Sequence, residues 1–189
     1  MSSADDLAYM ILDACSALNL YSTGRIREIL KAQAFRFSVV DYVARREALY
    51  VYSGTDNAGT RFHEHIDWST LFTGDDLEEL TLNESESEMF VGLAAVLDDG
   101  EAMSCAVAIC RGGSIATDDR KTRRIMGEYA PNVRVHTTSE LIKAWSDAAN
   151  VTGSKLRQVL LDVQDRGGFV PGRNDPLKTW WDECMGMQR

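Results

Sequence analysis

The sequence predicts an α/β layered fold with a mostly parallel central sheet. Short apolar runs alternate along the chain with longer stretches of helical periodicity, which is the pattern of strand and helix units that build such a sheet. An aspartate directly follows two of the apolar runs, in "YMILDA" and in "SIATDD", where a strand would end and a helix begin. With 189 residues, the chain is long enough for a single domain with a substantial core.

The first elements of the chain are short strands and helices. The continuous apolar run at residues 9–12 predicts a buried strand, and the small and apolar residues 14–21 predict a helix that stops before Gly24. The stretch "RIREILKA", residues 25–32, places its isoleucines and its leucine on one helical face. A short extended piece follows at residues 35–40. The chain therefore begins with a strand, an aspartate and a helix.

The middle of the chain is less regular. Residues 41–52 predict a helix in which Glu47 lies on the stripe that should face the core. Residues 53–64 carry two glycines and many polar side chains, so we expect a loop. A strand is predicted at residues 65–72, and a short helix with acidic residues in its first turn is predicted at residues 73–80.

The second half of the chain continues the alternation and then becomes helical. Helices are predicted from apolar periodicity and from acidic or capped first turns, and strands from short runs between polar breaks. The predicted helices are residues 83–97, a segment from Glu101 to the glycine pair at 112–113, and residues 118–130, 138–149, 154–165 and 175–185. The predicted strands are residues 114–117 and 133–138.

Composition and charge exclude several classes of protein. No window approaches the roughly 18 apolar residues that a membrane-spanning helix needs. The acidic amino terminus "MSSADDLAYM" differs from the basic start of a signal peptide, so we expect a cytoplasmic protein. The net charge of −9 argues against wholesale wrapping of nucleic acid. The four cysteines lack CxxC or CxxH spacing, and we interpret them as reduced and structural.

Acidic residues gather where the predicted strands end. Asp13 follows the first strand, and Asp118 and Asp119 follow the strand "SIAT". The carboxyl ends of parallel strands meet at one edge of a sheet, which is where such folds bind ligands. Glu47 and Glu101 are the other candidates for this edge. Clustered carboxylates repel one another unless a cation neutralises them, and Mg²⁺ or Mn²⁺ prefers oxygen ligands.

Each acidic residue also has a purely structural interpretation. An aspartate between a strand and a helix is often only an N-cap, which is the better interpretation for Asp13 or Asp119 taken alone. Glu47 could turn its carboxylate to solvent or pair with an arginine, and Glu101 could favour the dipole of its own helix. The occurrence of all of them near strand ends in one chain favours a metal site.

Four segments in order resemble the PIN domain family: "LDACSALNL", "YVARREAL", "DDGEAMSCAVA" and "SIATDDRKTRRI". Members of this family are often metal-dependent ribonucleases, and they include the VapC-type toxins of toxin–antitoxin pairs. The resemblance covers residues 8–136 and implies a three-layer α/β/α sandwich, to which this chain adds C-terminal helices. We therefore expect a PIN-like nuclease domain at residues 1–137. The residues beyond the resemblance, 138–189, are expected to form a helical extension packed on the same domain.

The resemblance also implies the site residues. The first acidic position of the family falls on Asp13, and Ser16 matches the hydroxyl residue that often supports it. The second and third acidic positions fall on Glu47 and Glu101. The final position falls on Asp118 or Asp119, between which the sequence does not choose. VapC-type toxins are commonly shorter, and some relatives carry the third acid further along its helix, where this chain has Met103.

Basic residues beside the acidic positions are candidates for contacts with RNA phosphates. Arg120 and Lys121 come directly after the acidic pair, and a charge run of this kind is otherwise a solvated helix face. The same run continues with Arg123 and Arg124, and a second basic group comprises Arg25, Arg27, Arg45 and Arg46.

We therefore expect a metal-dependent endoribonuclease in which Asp13, Glu101 and Asp118 or Asp119 hold Mg²⁺ or Mn²⁺, while Glu47 completes the cluster or positions a water. RNA would be the substrate, and the resemblance suggests a small antitoxin protein and a homodimer, without membrane association. One alternative is a catalytically silent PIN-like interaction module in a larger assembly. Another is a metal-dependent hydrolase of small phosphoesters, although the sequence has no nucleotide-binding loop.

Overall fold

The computed structural model describes residues 7–74 and 76–186. The strands are β1 (Ala8–Leu12), β2 (Phe35–Val40), β3 (Tyr50–Thr55), β4 (Arg61–His65), β5 (Glu78–Leu80), β6 (Ser114–Ala116) and β7 (Val135–His136). The helices are α1 (Ala14–Ser22), α2 (Ile26–Lys31), α3 (Ser69–Phe72), α4 (Glu84–Leu93), α5 (Asp99–Cys110), α6 (Arg120–Tyr129), α7 (Thr138–Ala148), α8 (Gly153–Asp162) and α9 (Lys178–Met185). Two π-helical turns span Val43–Glu47 and Val163–Gly167.

The central sheet has five parallel strands in the order β5-β2-β1-β6-β7. The predicted α/β class is confirmed, with an all-parallel sheet flanked by helices as a three-layer sandwich requires. In the middle strand, Met10, Ile11 and Leu12 are fully buried, so both faces of β1 are covered. This burial explains why the strand is a continuous apolar run rather than an alternating one.

The described chain divides into two compact units. Unit 1 comprises residues 7–17, 34–49 and 67–137, and unit 2 comprises residues 18–33, 50–66 and 138–186. Unit 1 contains the whole central sheet with α3 to α6. Helix α5 packs on β1, β2 and β6, and α4 packs on α5. Small side chains on α5, among them Ala102 and Cys105, are fully buried and allow this close packing.

Unit 2 contains the β3–β4 hairpin and the helices at the end of the chain. Helix α2 packs with α7, where the Gln33 side chain donates a hydrogen bond to the Leu141 carbonyl oxygen at 2.9 Å. Trp181 on α9 is fully buried, with Phe169 edge-on to its ring. Helices α7, α8 and α9 confirm the helices predicted for this part of the chain. No helix within residues 7–74 and 76–186 is long and apolar enough to cross a membrane.

The stretch predicted as a loop, residues 53–64, instead forms most of an antiparallel hairpin. Strands β3 and β4 pair from Tyr50 with His65 to Thr55 with Arg61. At the turn, the Asp56 carboxylate accepts the backbone N–H groups of Ala58 and Thr60, both at 2.8 Å. The polar residues on either side of the turn, 53–55 and 61–64, are thus exposed strand positions, whose backbone groups are satisfied by the partner strand.

The two elements expected after the hairpin are also wrong. The predicted strand at 65–72 contains α3, and the predicted helix at 73–80, so far as it is described, ends in β5. Strand β5 pairs with β2, and its two glutamates are neutralised there: Glu78 pairs with Arg36 at 2.9 Å and Glu79 with Arg45 at 2.8 Å. These long-range ion pairs allow an acidic stretch to form an edge strand.

Candidate active site

Asp13 lies at the carboxyl end of the central strand. Its backbone N–H donates to the Ala116 carbonyl oxygen at 3.1 Å, which extends the β1–β6 pairing by one residue. Its side chain is only 2% exposed. The carboxylate accepts hydrogen bonds from the Thr117 hydroxyl at 2.7 Å, the Ala14 N–H at 2.8 Å and the Cys15 thiol at 3.4 Å. All three donors are neutral groups from the ends of neighbouring elements.

The charge of Asp13 is poorly compensated. Burial raises the pKa of Asp13 above its ordinary value, although the hydrogen bonds from Thr117, Ala14 and Cys15 act against this shift, and the carboxylate of Asp119 raises the pKa further. The groups named as acting on this carboxylate are neutral hydrogen-bond donors and a second carboxylate. A divalent cation would supply the missing compensation.

Glu47 ends the π-helical turn that replaces the second half of the predicted helix 41–52. The Ala48 N–H donates to the Val43 carbonyl oxygen at 2.8 Å, after which the chain leaves the helix and enters β3. Single π-helical turns of this kind are frequent at functional sites. The predicted core stripe is therefore interrupted, because Val43 is buried, Glu47 is half-buried and Tyr50 is exposed.

The Glu47 carboxylate contacts the start of α5. It accepts the backbone N–H of Gly100, one of the donors that the first turn of a helix leaves unsatisfied. Burial and the carboxylate of Asp13 nevertheless raise the pKa of Glu47, and Glu101 and Asp98 add to this shift. Gly100 is buried, and a β-carbon at this position would overlap the Glu47 carboxylate. A glycine is therefore needed for the close approach.

Glu101 lies in the first turn of α5. Its carboxylate accepts the backbone N–H of Asp98 at 3.4 Å, as in a capping box. Burial raises the pKa of Glu101, and the carboxylates of Asp119 and Asp13 raise it further. Glu101 therefore caps its helix, as one interpretation of the sequence suggested, and it is also coupled electrostatically to the other acids.

Asp118 and Asp119 occupy different environments. Asp119 is the N-cap of α6, where its carboxylate accepts the Thr122 N–H at 2.8 Å, and its charge acts on both Asp13 and Glu101. The Asp118 N–H donates to the Cys15 sulfur at 3.3 Å. Burial, together with the charges of Asp13 and Asp118, raises the pKa of Cys15 to about 12, so this thiol stays protonated. The charge of Asp119 is thus coupled to the acidic cluster.

Ser16 makes no hydrogen bond to Asp13 among the described residues. Its hydroxyl oxygen is fully buried and is without a hydrogen-bond partner in the part of the chain that the structure describes. An unpaired buried hydroxyl costs about 1–3 kcal/mol. In place of Ser16, Thr117 supports Asp13, and this threonine is detectable in the sequence only as the hydroxyl residue that ends "SIAT".

Arg120 and Lys121 are exposed on the first turn of α6, directly after Asp119. Neither forms an ion pair with another described residue, whereas Arg124 further along the helix pairs with Glu128 at 3.1 Å. Arg45 is likewise held by Glu79. The two predicted phosphate contacts are therefore the basic residues of α6 closest to the acidic positions. Arg25 and Arg27 belong to unit 2.

The chemistry of the acidic cluster suits a hard divalent cation. Asp13, Glu47, Glu101 and Asp119 provide oxygen ligands and act on one another electrostatically. As they stand, no three Asp, Glu, His or Cys side chains of the described residues converge into a metal-binding group. Instead, three of these carboxylates accept backbone N–H groups at the starts of helices. The donor set fits a metal, and binding would require these side chains to turn.

Sequence reasoning missed one acidic residue at the same edge. Asp41 directly follows β2, which neighbours β1, and it therefore has the same strand-end position as Asp13. Its carboxylate accepts the Tyr42 N–H at 2.7 Å and the Thr81 hydroxyl at 3.2 Å. The signal was present in "FRFSVVD", where an aspartate ends an apolar run.

Comparison of the chain with models of protein families, with curated proteins and with solved structures found no match.

The raised pKa values give the protein a characteristic pH dependence. Because the pKa of Glu101 is higher in the folded chain, the folded state binds protons more tightly, and the free energy of unfolding falls as the pH rises above the ordinary glutamate range. The Glu101→Gln substitution removes this penalty. We expect this variant to gain stability relative to the wild type between about pH 5 and about pH 7.5 in EDTA, measured by urea denaturation.

The matched control is Glu88→Gln, which removes one charge from an exposed position of α4. The two variants should diverge as the pH rises. Parallel stability curves for both variants would show that Glu101 is not under repulsion from the cluster.

Proposed function

We propose that the chain is a PIN-like, Mg²⁺- or Mn²⁺-dependent endoribonuclease that acts at the acidic cluster of Asp13, Glu47, Glu101 and Asp119. The observation that carries this proposal is electrostatic. Three of these carboxylates have raised pKa values because Asp13 is buried, Glu47 and Glu101 are half-buried, and neighbouring carboxylates act on each of them. Perturbed pKa values of this origin are concentrated at functional sites, and ligands bind at the carboxyl edge of the sheet in α/β folds.

The proposed roles follow from position. Asp13, Glu101 and Asp119 would hold the metal, with Asp118 next to them in sequence as the alternative to Asp119. A bound divalent cation lowers the pKa of a coordinated water and neutralises charge on a phosphodiester. Glu47 would orient the attacking water, since its carboxylate is coupled to Asp13 and held at the start of α5. Arg120 and Lys121 would bind the RNA phosphates.

Metal binding has a readout that is independent of activity. At a concentration about 100 times its dissociation constant, Mn²⁺ should stabilise the folded protein by about 2.7 kcal/mol, seen as a higher unfolding temperature. Protons compete for the same carboxylates, so we expect a smaller gain at about pH 5.5 than at about pH 7.5. Calorimetric titration with Mn²⁺ measures the same binding. An Asp13→Asn variant that binds Mn²⁺ as tightly as the wild type would exclude Asp13 as a ligand.

The test of the activity is cleavage of mixed cellular RNA by the purified protein with Mn²⁺, with Mg²⁺ and with EDTA. Products that appear with the metals and are absent with EDTA would support the proposal. Cleavage in EDTA, or a complete lack of both cleavage and Mn²⁺ binding, would contradict it. A panel of small phosphoesters in the same assay tests the alternative that the site hydrolyses small molecules.

The second candidate function is a catalytically silent interaction module. It is favoured by the bonding of the acids, because Glu47, Glu101 and Asp119 each accept a backbone N–H at the start of a helix. In this case the carboxylates stabilise helix ends and bind no metal. The Mn²⁺ titration separates the two candidates.

The role as a toxin, the small antitoxin and the homodimer are proposed on the family resemblance alone. A cytoplasmic location is proposed with them, and the four free cysteines suit a reducing compartment. Light scattering on the purified protein measures whether it is a homodimer.

A further inference from the structure

A groove of about 630 Å³ lies in unit 1 near the acidic cluster. It includes Asp41 and Thr81, which directly follow β2 and β5, so it opens at the same carboxyl edge of the sheet as Asp13. Arg46, next to Glu47 in sequence, and Met103, two residues after Glu101, also line it. The volume is in the range of small-ligand sites.

The groove presents apolar and aromatic surface. Tyr42 and Phe90 are half-buried in its lining, and Val91 beside Phe90 is 70% exposed. Met103 adds a flexible thioether side chain. Aromatic faces exposed in a concavity are suited to stacking with a planar ring, and every nucleobase has such a face.

One positive charge in the groove lacks an ion-pair partner among the described residues. Arg45 is held by two hydrogen bonds to Glu79, each 2.8 Å long, which neutralise it. Arg46 is exposed and forms no ion pair with a described residue, so its guanidinium is available to a phosphate. The hydroxyls of Thr81 and Ser87 donate within the chain but keep lone pairs for a base or a ribose.

We propose that this groove binds one nucleotide of single-stranded RNA, with the base against Phe90 and Tyr42 and a phosphate on Arg46. This subsite rests on the proposed nuclease function, because it would fix the strand beside the scissile phosphate. A flanking nucleotide held in this way explains why apolar surface is exposed at the edge of an acidic site.

The test measures binding of a fluorescent single-stranded RNA of about eight nucleotides by anisotropy in EDTA, so that cleavage does not interfere. Phe90→Leu keeps an apolar side chain but removes the aromatic face, and we expect at least about fivefold weaker binding. Arg46→Gln should weaken binding about threefold. In a plot of the logarithm of the binding constant against the logarithm of the salt concentration, its slope should be shallower by about one unit.

Two matched controls lie outside the groove. Arg134→Gln removes an exposed arginine immediately before β7, the outer strand on the other side of the sheet from β5. Tyr129→Leu removes an aromatic ring that is 71% exposed at the end of α6. Both controls should bind RNA and depend on salt as the wild type does. The subsite would be overturned if the controls lost as much RNA affinity as the groove variants, or if the groove variants lost none.

Two further arms identify the ligand and separate this proposal from the proposed function. Nucleoside monophosphates should compete only at concentrations far above that of the RNA; competition at equal concentration would mean that the groove binds free nucleotides and would overturn an RNA subsite. The second arm measures RNA cleavage in Mn²⁺. If the groove variants cleave as well as an active wild type does, the proposed subsite is overturned but the proposed nuclease function is not. If the wild type does not cleave, the binding arm alone still decides whether the groove holds RNA.

Discussion

Replacing Asp13 with asparagine is expected to reduce metal-dependent RNA cleavage by at least about 10²–10³-fold, the loss typical of removing one preorganised electrostatic group from a site. The fold should survive. Asparagine has nearly the same shape, and its carbonyl oxygen can still accept the Ala14 N–H, while the Thr117 hydroxyl can rotate. Because burial already raises the pKa of Asp13, removing this charge relieves a desolvation penalty. The measurement is the cleavage rate in Mn²⁺, with circular dichroism on the same sample.

The control for Asp13→Asn is Asp147→Asn, which makes the same change at an exposed position of α7 in unit 2. This variant should cleave at the wild-type rate. A folded Asp13→Asn protein that retains wild-type cleavage would refute the assignment of the site, whatever the metal dependence of the wild type.

The central sheet was largely predictable because its strands are marked by local sequence. The run "YMIL" and the run "SIA" are mostly buried, so each is largely apolar and bounded by polar breaks. A parallel sheet places the residues that follow these strands at one edge, and this rule alone predicts that Asp13 and Asp119 lie near each other. The Asp119 carboxylate contributes to the raised pKa of Asp13, which agrees with this placement.

The edge strand and the hairpin were not predictable from local pattern. Strand β5 contains two adjacent glutamates, a residue type that local propensity disfavours in strands, and these glutamates pair with Arg36 and Arg45 on other elements. The hairpin strand β4 is exposed along its whole length, so it has no apolar face to produce an alternating pattern. In both cases long-range pairing outweighs local propensity.

The sequence predicted where the candidate site residues lie relative to the strands, but it did not choose between the two roles offered for them. Sequence suggested either helix caps or metal ligands for the acids, whereas the structure shows Glu101 and Asp119 bonded to helix starts and also coupled to Asp13. Helix N-termini hold carboxylates in place through hydrogen bonds and the helix dipole. Such bonds would fix the acids near the edge until a cation competes for them, which links the two interpretations physically.

Replacing Gly100 with alanine is expected to reduce cleavage by about 10²-fold without unfolding the protein. The added methyl group would overlap the Glu47 carboxylate, so this side chain must leave the start of α5 and its place beside Asp13. A displacement of about 1 Å at a catalytic group can cost a loss of this size. Alanine also favours the helix by about 1 kcal/mol relative to glycine, which offsets part of the strain. The measurement is the cleavage rate together with the unfolding temperature.

Gly127→Ala is the matched control for Gly100→Ala, because this glycine is also helical but exposed, with no neighbouring atom near the added methyl group. It should raise the unfolding temperature and leave cleavage unchanged. A double-mutant cycle with Glu47→Ala isolates the mechanism: once the carboxylate is gone, Gly100→Ala should cost no further activity. If the two losses instead multiply, the glycine acts on the start of α5 itself and not through the Glu47 carboxylate.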